Sequence, residues 1–305
     1  MKPPKPLHKG ATVGILSTAR KISIPEVEAA IELLHSWDLK VVLGTTIDLE
    51  AHQFAGDDAA RIENFQQFLD DDTIDAIWCA RGGYGTIRMI DSIDFSRFVQ
   101  QPKWIIGYSD VTVLHSKAQQ LRFESLHATM PINVPKNSEA SLESLRNVLF
   151  GESLHYTIPA VTYNKKGVAS GELIGGNLSM LYSMLGSNLS LHTNGKVLFL
   201  EDLDEYLYHV DRMLMNLKRN GYFDNLAGLI VGGMTDMHDN TIPFGKNAHE
   251  IILDITSEYN FPICFNFPAG HLDDNRALIF GRKVTLEVDS EVQLSFSKCS
   301  RLRST

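Results

Sequence analysis

The chain has 305 residues, with 28 Lys and Arg against 37 Asp and Glu, a formal charge of −9. Hydrophobic residues make up 44% and charged residues 21%, so it can bury a sizeable core and is neither disordered nor fibrous. An acidic chain without a dense Lys/Arg run lacks the footprint of a nucleic-acid binder, whose affinity comes from neutralising phosphates.

Residues 1–10 hold Lys2, Lys5 and Lys9 among three prolines, and the apolar run at 11–16 is too short for a signal-peptide core, which predicts a cytoplasmic protein. No window of about 18 uncharged apolar residues occurs, so no membrane-spanning helix is expected. A strand at 13–16 opens the fold. Ser23 with Glu26 three residues on fits a capping box, and Val27, Ile31 and Leu34 recur at helical spacing, which predicts a helix to about residue 37. A strand at 41–43 follows, then a helix over 57–69 with Ile62, Phe65 and Leu69 inward, and a strand at 74–79. A fourth strand at 104–106 feeds directly into Gly107-Tyr108-Ser109-Asp110 and a helix through Val113 and Leu114. Apolar runs alternating with amphipathic stretches up to about residue 150 are the pattern of successive βα units, so a doubly wound parallel sheet is expected.

The periodicity weakens over 151–170, with Pro159, Lys165, Lys166 and Gly167, and this stretch reads as a linker. Beyond it the spacing predicts helices near 177–185, 206–219 and 248–259 and strands at 197–200, 229–231 and 262–265. The runs 277–280, 284–288 and 292–296 predict antiparallel hairpins closing a smaller, mixed α/β domain. Cys79, Cys264 and Cys299 are widely spaced, which suits a reducing compartment and offers no paired zinc site.

In open α/β sheets ligands bind beyond the carboxyl ends of the strands. Three strand exits carry residues that suit chemistry: Arg81-Gly82-Gly83-Tyr84-Gly85, Gly107-Tyr108-Ser109-Asp110 and Glu201-Asp202. Ser109 stands where a strand turns sharply into a helix, as in a nucleophile elbow, where the next amide, here that of Asp110, can face a developing oxyanion. Position 111 is Val rather than Gly, and a serine N-cap followed by an acidic first turn gives the same pattern. The glycines at 82, 83 and 85 let the backbone approach a ligand closely and offer a second oxyanion donor. They match neither common phosphate-loop spacing, which weakens a nucleotide reading.

A serine nucleophile needs a base, and eleven histidines are available. His35, His115 and His249 fall in helical patterns, His8 in the tail and His52 in a polar loop, while His127 and His238 stay open. His271 stands out because it follows a strand and the turn Phe267-Pro268-Ala269-Gly270 and precedes a polar loop. The base must itself be oriented by an acid. The helix that follows attracts Glu201, Asp202, Asp204 and Glu205 alike, but that does not account for Glu201 at the very end of the strand. No His, Cys or carboxylate cluster has metal-ligand spacing, so no metal or other cofactor is expected.

Taken together and in this order, Arg81-Gly82-Gly83-Tyr84-Gly85, Gly107-Tyr108-Ser109-Asp110, Gly175-Gly176-Asn177-Leu178, Leu200-Glu201-Asp202 with Asp211-Arg212-Met213-Leu214, and Ala269-Gly270-His271 resemble the LD-carboxypeptidase family of serine peptidases. The resemblance implies an N-terminal Rossmann-like domain, residues 1–150, carrying the nucleophile, and a C-terminal α/β domain, residues 171–305, carrying Glu and His. It implies a Ser109, Glu201 and His271 triad, oxyanion donors from the backbone of Asp110 and Gly83, and a homodimer. The implied reaction removes C-terminal D-alanine from a murein tetrapeptide at its L,D bond, in cytoplasmic cell-wall recycling. The partner is then a murein-derived peptide rather than nucleic acid or membrane. Arg81, with Gly82 and Tyr84 beside it, is a candidate to hold the terminal carboxylate, although it can equally pair with an acidic neighbour. Two other readings fit the residues: an immunity-type peptidase acting on a peptidyl-aminoacyl-nucleotide, as in microcin resistance, and a non-catalytic peptide or sugar binder. The sequence contains no evident aromatic-rich insertion to hold an aminoacyl-nucleotide.

Overall fold

The computed structural model describes residues 1–298; Cys299 lies outside the described residues. Five strands, β1 (Thr12–Leu16), β2 (Lys40–Leu43), β3 (Ala76–Cys79), β4 (Trp104–Gly107) and β5 (Ser125–His127), alternate with α1 (Ile24–Ser36), α2 (Asp58–Asp70), α3 (Thr86–Met89), α4 (Ser96–Gln100) and α5 (Thr112–Gln120). Then come α6 (Glu139–Leu149), β6 (His155–Pro159), β7 (Gly167–Asn177), α7 (Leu178–Ser183), β8 (Val197–Leu203), α8 (Leu207–Arg219), β9 (Gly228–Thr235) and α9 (Ala248–Ile255). β10 (Ile263–Cys264), β11 (Leu278–Phe280), β12 (Lys283–Val288) and β13 (Glu291–Phe296) complete the chain.

Local chemistry sets the starts of these elements. The Ser23 N–H and hydroxyl both donate to Glu26, each at 2.8 Å, and α1 begins at the next residue, as the capping box predicts. Asp57 caps α2 by accepting from the Ala60 N–H at 2.8 Å. β1, β3 and β4 are almost wholly buried apolar runs because helices cover both faces of a parallel sheet.

The first sheet has the order β11-β5-β4-β3-β1-β2, with β1 to β5 parallel. This is a Rossmann-like arrangement whose switch point lies between β1 and β3, where successive connections leave in opposite directions. The second sheet has the order β10-β9-β8-β7-β12-β13-β6, its first four strands parallel and the rest antiparallel. Alternation along the strands sends Ile15, Trp78 and Ile106 into one core and Leu16, Ile77 and Ile105 into another. Both cores run on into the second sheet, through Phe199 and Ile230 in one and Leu198 and Leu200 in the other.

Two segments depart from the sequence expectation. Within the stretch read as a linker, His155–Pro159 forms the edge strand β6, pairing with β13 and burying Tyr156 and Ile158 alternately. Leu278–Phe280 does not close the second unit: β11 pairs antiparallel with β5 in the first sheet, where its three apolar side chains are all buried. The chain thus crosses back to the first sheet before β12 and β13 form the expected hairpin. Among the described residues no helix is long and apolar enough to cross a membrane.

Candidate active site

β4 ends at Gly107, and the chain turns through Tyr108 into a 3-10 turn at Ser109–Val111 that leads into α5. Ser109 has φ 62°, in the left-handed region that residues other than glycine seldom adopt. An N-cap serine has extended backbone, so this is the strained turn of an elbow rather than a cap. Gly82 crosses directly above it. A Cβ at position 82 would stand 2.9 Å from Ser109 Cβ and 3.5 Å from the Asp110 nitrogen, an approach that only glycine permits. Gly83 follows with φ 109°, and among the described residues no group accepts from its N–H. The buried Asp110 carboxylate accepts from the Thr86 N–H at 2.8 Å and so ties the elbow to α3. Burial pushes its pKa up, against the pull of Thr86 and Arg61.

Glu201 stands at a slip in register between β8 and β9, which falls between Leu200 and Asp202. Such irregularities re-aim a side chain at a sheet's end. Its carboxylate is fully buried, and Oε2 accepts from His271 Nδ1 at 2.6 Å and from the His271 backbone N–H at 3.2 Å. A carboxylate can only accept, so Nδ1 carries a proton, and in the neutral ring Nε2 keeps the lone pair. Burial works against the His271 imidazolium, but the charge and hydrogen bond of Glu201 outweigh it and hold the pKa above the ordinary value. Gly270, with φ 104°, makes the contact possible, since a Cβ there would lie 2.8 Å from both Cβ and Oε2 of Glu201. The Tyr108 ring packs edge-on to the imidazole, 4.8 Å between centroids, and its hydroxyl donates to Asn133 at 3.1 Å.

Asp202 has a different task. It accepts from Asn177 Nδ2 at 2.8 Å and from the Ser179 and Leu203 N–H groups at 2.9 Å, joining β8 to the start of α7. Burial and the neighbouring Glu201 charge push its pKa up to about 7.

Ser109 and His271 line one cavity of about 460 Å³, together with Gly82, Gly83, Asp110, Arg81 and Arg20. Glu201 lies behind His271, fully buried. The three segments singled out by sequence therefore converge, but Glu201 and Asp202 lie within β8, which runs on to Leu203, rather than at its exit. Arg81 reaches the cavity, but its guanidinium lies 3.6 Å from Glu26 and donates to the Lys21 carbonyl at 3.4 Å. Tyr84 is not part of the lining; it is half-exposed and packs against Phe54. His127 is buried among Tyr108, Phe199 and Phe280, and His238 pairs with Asp204 at the surface. Sequence reasoning missed Arg20, Asn133 and Ser179, all in the lining. Arg20 follows β1, and the strand-exit rule applied to that strand as well would have found it. Cys79 and Cys264 are buried away from the cavity, their thiols pushed up to about 12 by burial. Among the described residues no three His, Cys, Asp or Glu side chains are grouped to hold a metal ion. A hydroxyl at a strained turn, an imidazole of raised basicity and nearby backbone N–H groups together suit nucleophilic acyl transfer.

Comparison with known proteins bears on which acyl-transfer chemistry this is. Residues 13–128 match the LD-carboxypeptidase N-terminal domain and residues 170–286 the LD-carboxypeptidase C-terminal domain. The chain is 32% identical over 293 residues to the probable murein peptide carboxypeptidase of Bacillus subtilis, covering 93% of this chain and 91% of that protein. It is 23% identical over 325 residues to the microcin self-immunity protein of Escherichia coli, covering 94% and 93%. The crystal structure of muramoyltetrapeptide carboxypeptidase from Oxalobacter formigenes shares the fold, with a TM-score of 0.85 at 23% identity over 94% of this chain and 98% of that one. On the strength of both domain matches and the Bacillus relative, the chain belongs to the LD-carboxypeptidase family of peptidases.

Proposed function

We propose that this peptidase releases C-terminal D-alanine from murein tetrapeptides by cutting the L,D bond, working as a cytoplasmic homodimer in cell-wall recycling. The observation that carries the reading is the Glu201–His271 pair, joined at 2.6 Å, on the same cavity that Ser109 enters from a left-handed turn. In this reading His271 Nε2 takes the Ser109 proton as Oγ attacks the scissile carbonyl, and Glu201 holds the tautomer and stabilises the imidazolium. The Gly83 and Asp110 amides receive the oxyanion, a contribution of about 3 kcal/mol per donor in comparable sites. His271 then protonates the departing D-alanine amine, and water, deprotonated by the same imidazole, releases the acyl group from Ser109.

The likeness to the microcin self-immunity protein supports a second substrate class, a peptidyl-aminoacyl-nucleotide. Such a ligand presents a base that is held well by stacking on an aromatic face. Among the cavity-lining residues Tyr108 is the one aromatic besides His271, and it is packed on that imidazole, which favours the murein peptide.

The test is incubation with a tetrapeptide, a pentapeptide and a peptidyl-aminoacyl-nucleotide while D-alanine and free nucleotide are followed. Release of D-alanine from the tetrapeptide is expected, with Ser109→Ala lowering kcat roughly 10³-fold or more. Cleavage of the pentapeptide's D,D bond in place of the L,D bond overturns the assignment. Nucleotide release alone selects the second substrate, and binding without any product selects a silent binder.

A further inference from the structure

A carboxypeptidase must distinguish a chain end from a chain middle, so it needs a cation that reads the terminal carboxylate. In a terminal D-alanine only the amide nitrogen and Cα separate the carboxylate carbon from the scissile carbon, a span of about 3–4 Å from standard bond lengths. The reading group therefore has to stand beside the oxyanion donors.

Two arginines, Arg20 and Arg81, line the cavity, and their guanidinium groups differ. That of Arg81 is directed at Glu26 and the Lys21 carbonyl. That of Arg20 makes no ion pair among the described residues, and of the arginines without one, Arg20, Arg146, Arg212 and Arg219, it alone lines this cavity. Arg20 leaves β1 at the switch point, and its backbone N–H donates to the Gly82 carbonyl at 3.4 Å. Its side chain lies over Gly83: a Cβ at position 83 would stand 2.6 Å from Arg20 Cδ and 2.9 Å from Nε. Gly82 in turn lies over Ser109. One free guanidinium is thus held against the glycine that offers an oxyanion amide, in a cavity whose other charged walls, apart from Arg81, include Asp202, Asp204 and Glu205.

We propose that Arg20 binds the substrate's terminal carboxylate and so confines cleavage to the last residue; this rests on the L,D-carboxypeptidase reading above. The planar fork of a guanidinium matches both carboxylate oxygens at once. A pentapeptide carries its carboxylate one residue further out, roughly 3.5 Å along an extended chain, and cannot place it on Arg20 while presenting its L,D bond to Ser109.

The test compares kcat and KM on a murein tetrapeptide and on its C-terminal carboxamide for the wild type, Arg20→Ala, Arg20→Lys and Arg81→Ala. Arg20→Ala is expected to raise KM for the acid roughly tenfold or more with little change in kcat, the scale of a hydrogen-bonded charge lost. The wild type should lose a similar factor on the carboxamide, Arg20→Ala should treat the two substrates alike, and Arg20→Lys should recover part of the preference. Arg20 is exposed, so thermal unfolding should stay close to wild type. A wild-type preference for the acid retained in Arg20→Ala and Arg20→Lys, or abolished in Arg81→Ala instead, overturns the assignment while leaving the reaction intact. A wild type inert on the tetrapeptide overturns the L,D-carboxypeptidase reading and this assignment together.

Discussion

His271 lies under two opposing influences, and which one wins sets the pH range of the proposed reaction. Burial favours the neutral imidazole, the buried Glu201 carboxylate favours the charged form, and the net pKa lies above the ordinary 6.5. The base works only when neutral, so kcat/KM on the tetrapeptide is expected to rise with pH through an apparent pKa above 6.5. Glu201→Gln removes the counter-charge and leaves the burial, so the acidic limb should move to lower pH while the plateau rate falls roughly 10³-fold or more. A pH profile of D-alanine release in the variant, with the limb unmoved, would disprove this electrostatic role. Ser109, Glu201 and His271, the candidates the sequence offers, are conspicuous in it because each is a chemically reactive residue type within or beyond an apolar strand run, and the fold brings them to one place. Arg20 also follows a strand, but it sits in Ser17-Thr18-Ala19-Arg20, a polar stretch with no glycine run or acid to mark it. Its place beside Gly83 depends on β1 and β3 being neighbours, a property of sheet order that no local pattern carries. Tyr84 shows the converse, since two residues of chain suffice to turn it from the cavity toward Phe54.

At the scale of elements, the site is a set of strand exits brought to one end by two parallel ladders, and its precision depends on the turns that close them. The Gly270 turn is one such point. Its φ of 104° excludes ordinary side chains, and a methyl group there would meet the one carboxylate that orients His271. Gly270→Ala is expected to cost about 1–3 kcal/mol through backbone strain, read as a lower Tm, and to depress kcat more than KM by displacing Glu201 and with it the His271 imidazole. Wild-type Tm and kcat together in this variant would show that the turn relaxes without consequence. Apolar strands such as β1, β4 and β8 were readable because burial on both faces makes their apolar runs continuous in sequence. β6 was not: one face is solvated, its apolar residues alternate, and it ends in Pro159, so it resembles a connector. β5 was not read because only Leu126 of its three residues is apolar, whereas the equally short β11 is Leu-Ile-Phe.

The whole molecule has its two sheets joined by more than the connection after α6. β11 returns to the edge of the first sheet beside β5, so the local pattern identified a strand at 277–280 while its partner was decided by distant packing. Both apolar cores extend through both sheets. At this crossing Glu124, just before β5, meets Arg282, just after β11. The guanidinium donates through Nη2 at 2.6 Å and through Nε to both carboxylate oxygens at 3.2 Å, with side chains only 6% and 11% exposed. Removing one member of so buried a pair leaves an uncompensated charge and costs about 3–5 kcal/mol, whereas replacing both with apolar groups is often neutral. Arg282→Ala is therefore expected to lower Tm by roughly 6–15 °C. Replacing the pair together, Glu124→Leu with Arg282→Met, should recover most of that loss. Because the shared cores couple the halves, calorimetry and far-UV circular dichroism should report the same single transition in wild type and variant alike. Two separated transitions in Arg282→Ala, one for each sheet, would show instead that the halves fold independently and that the site between them is assembled by docking.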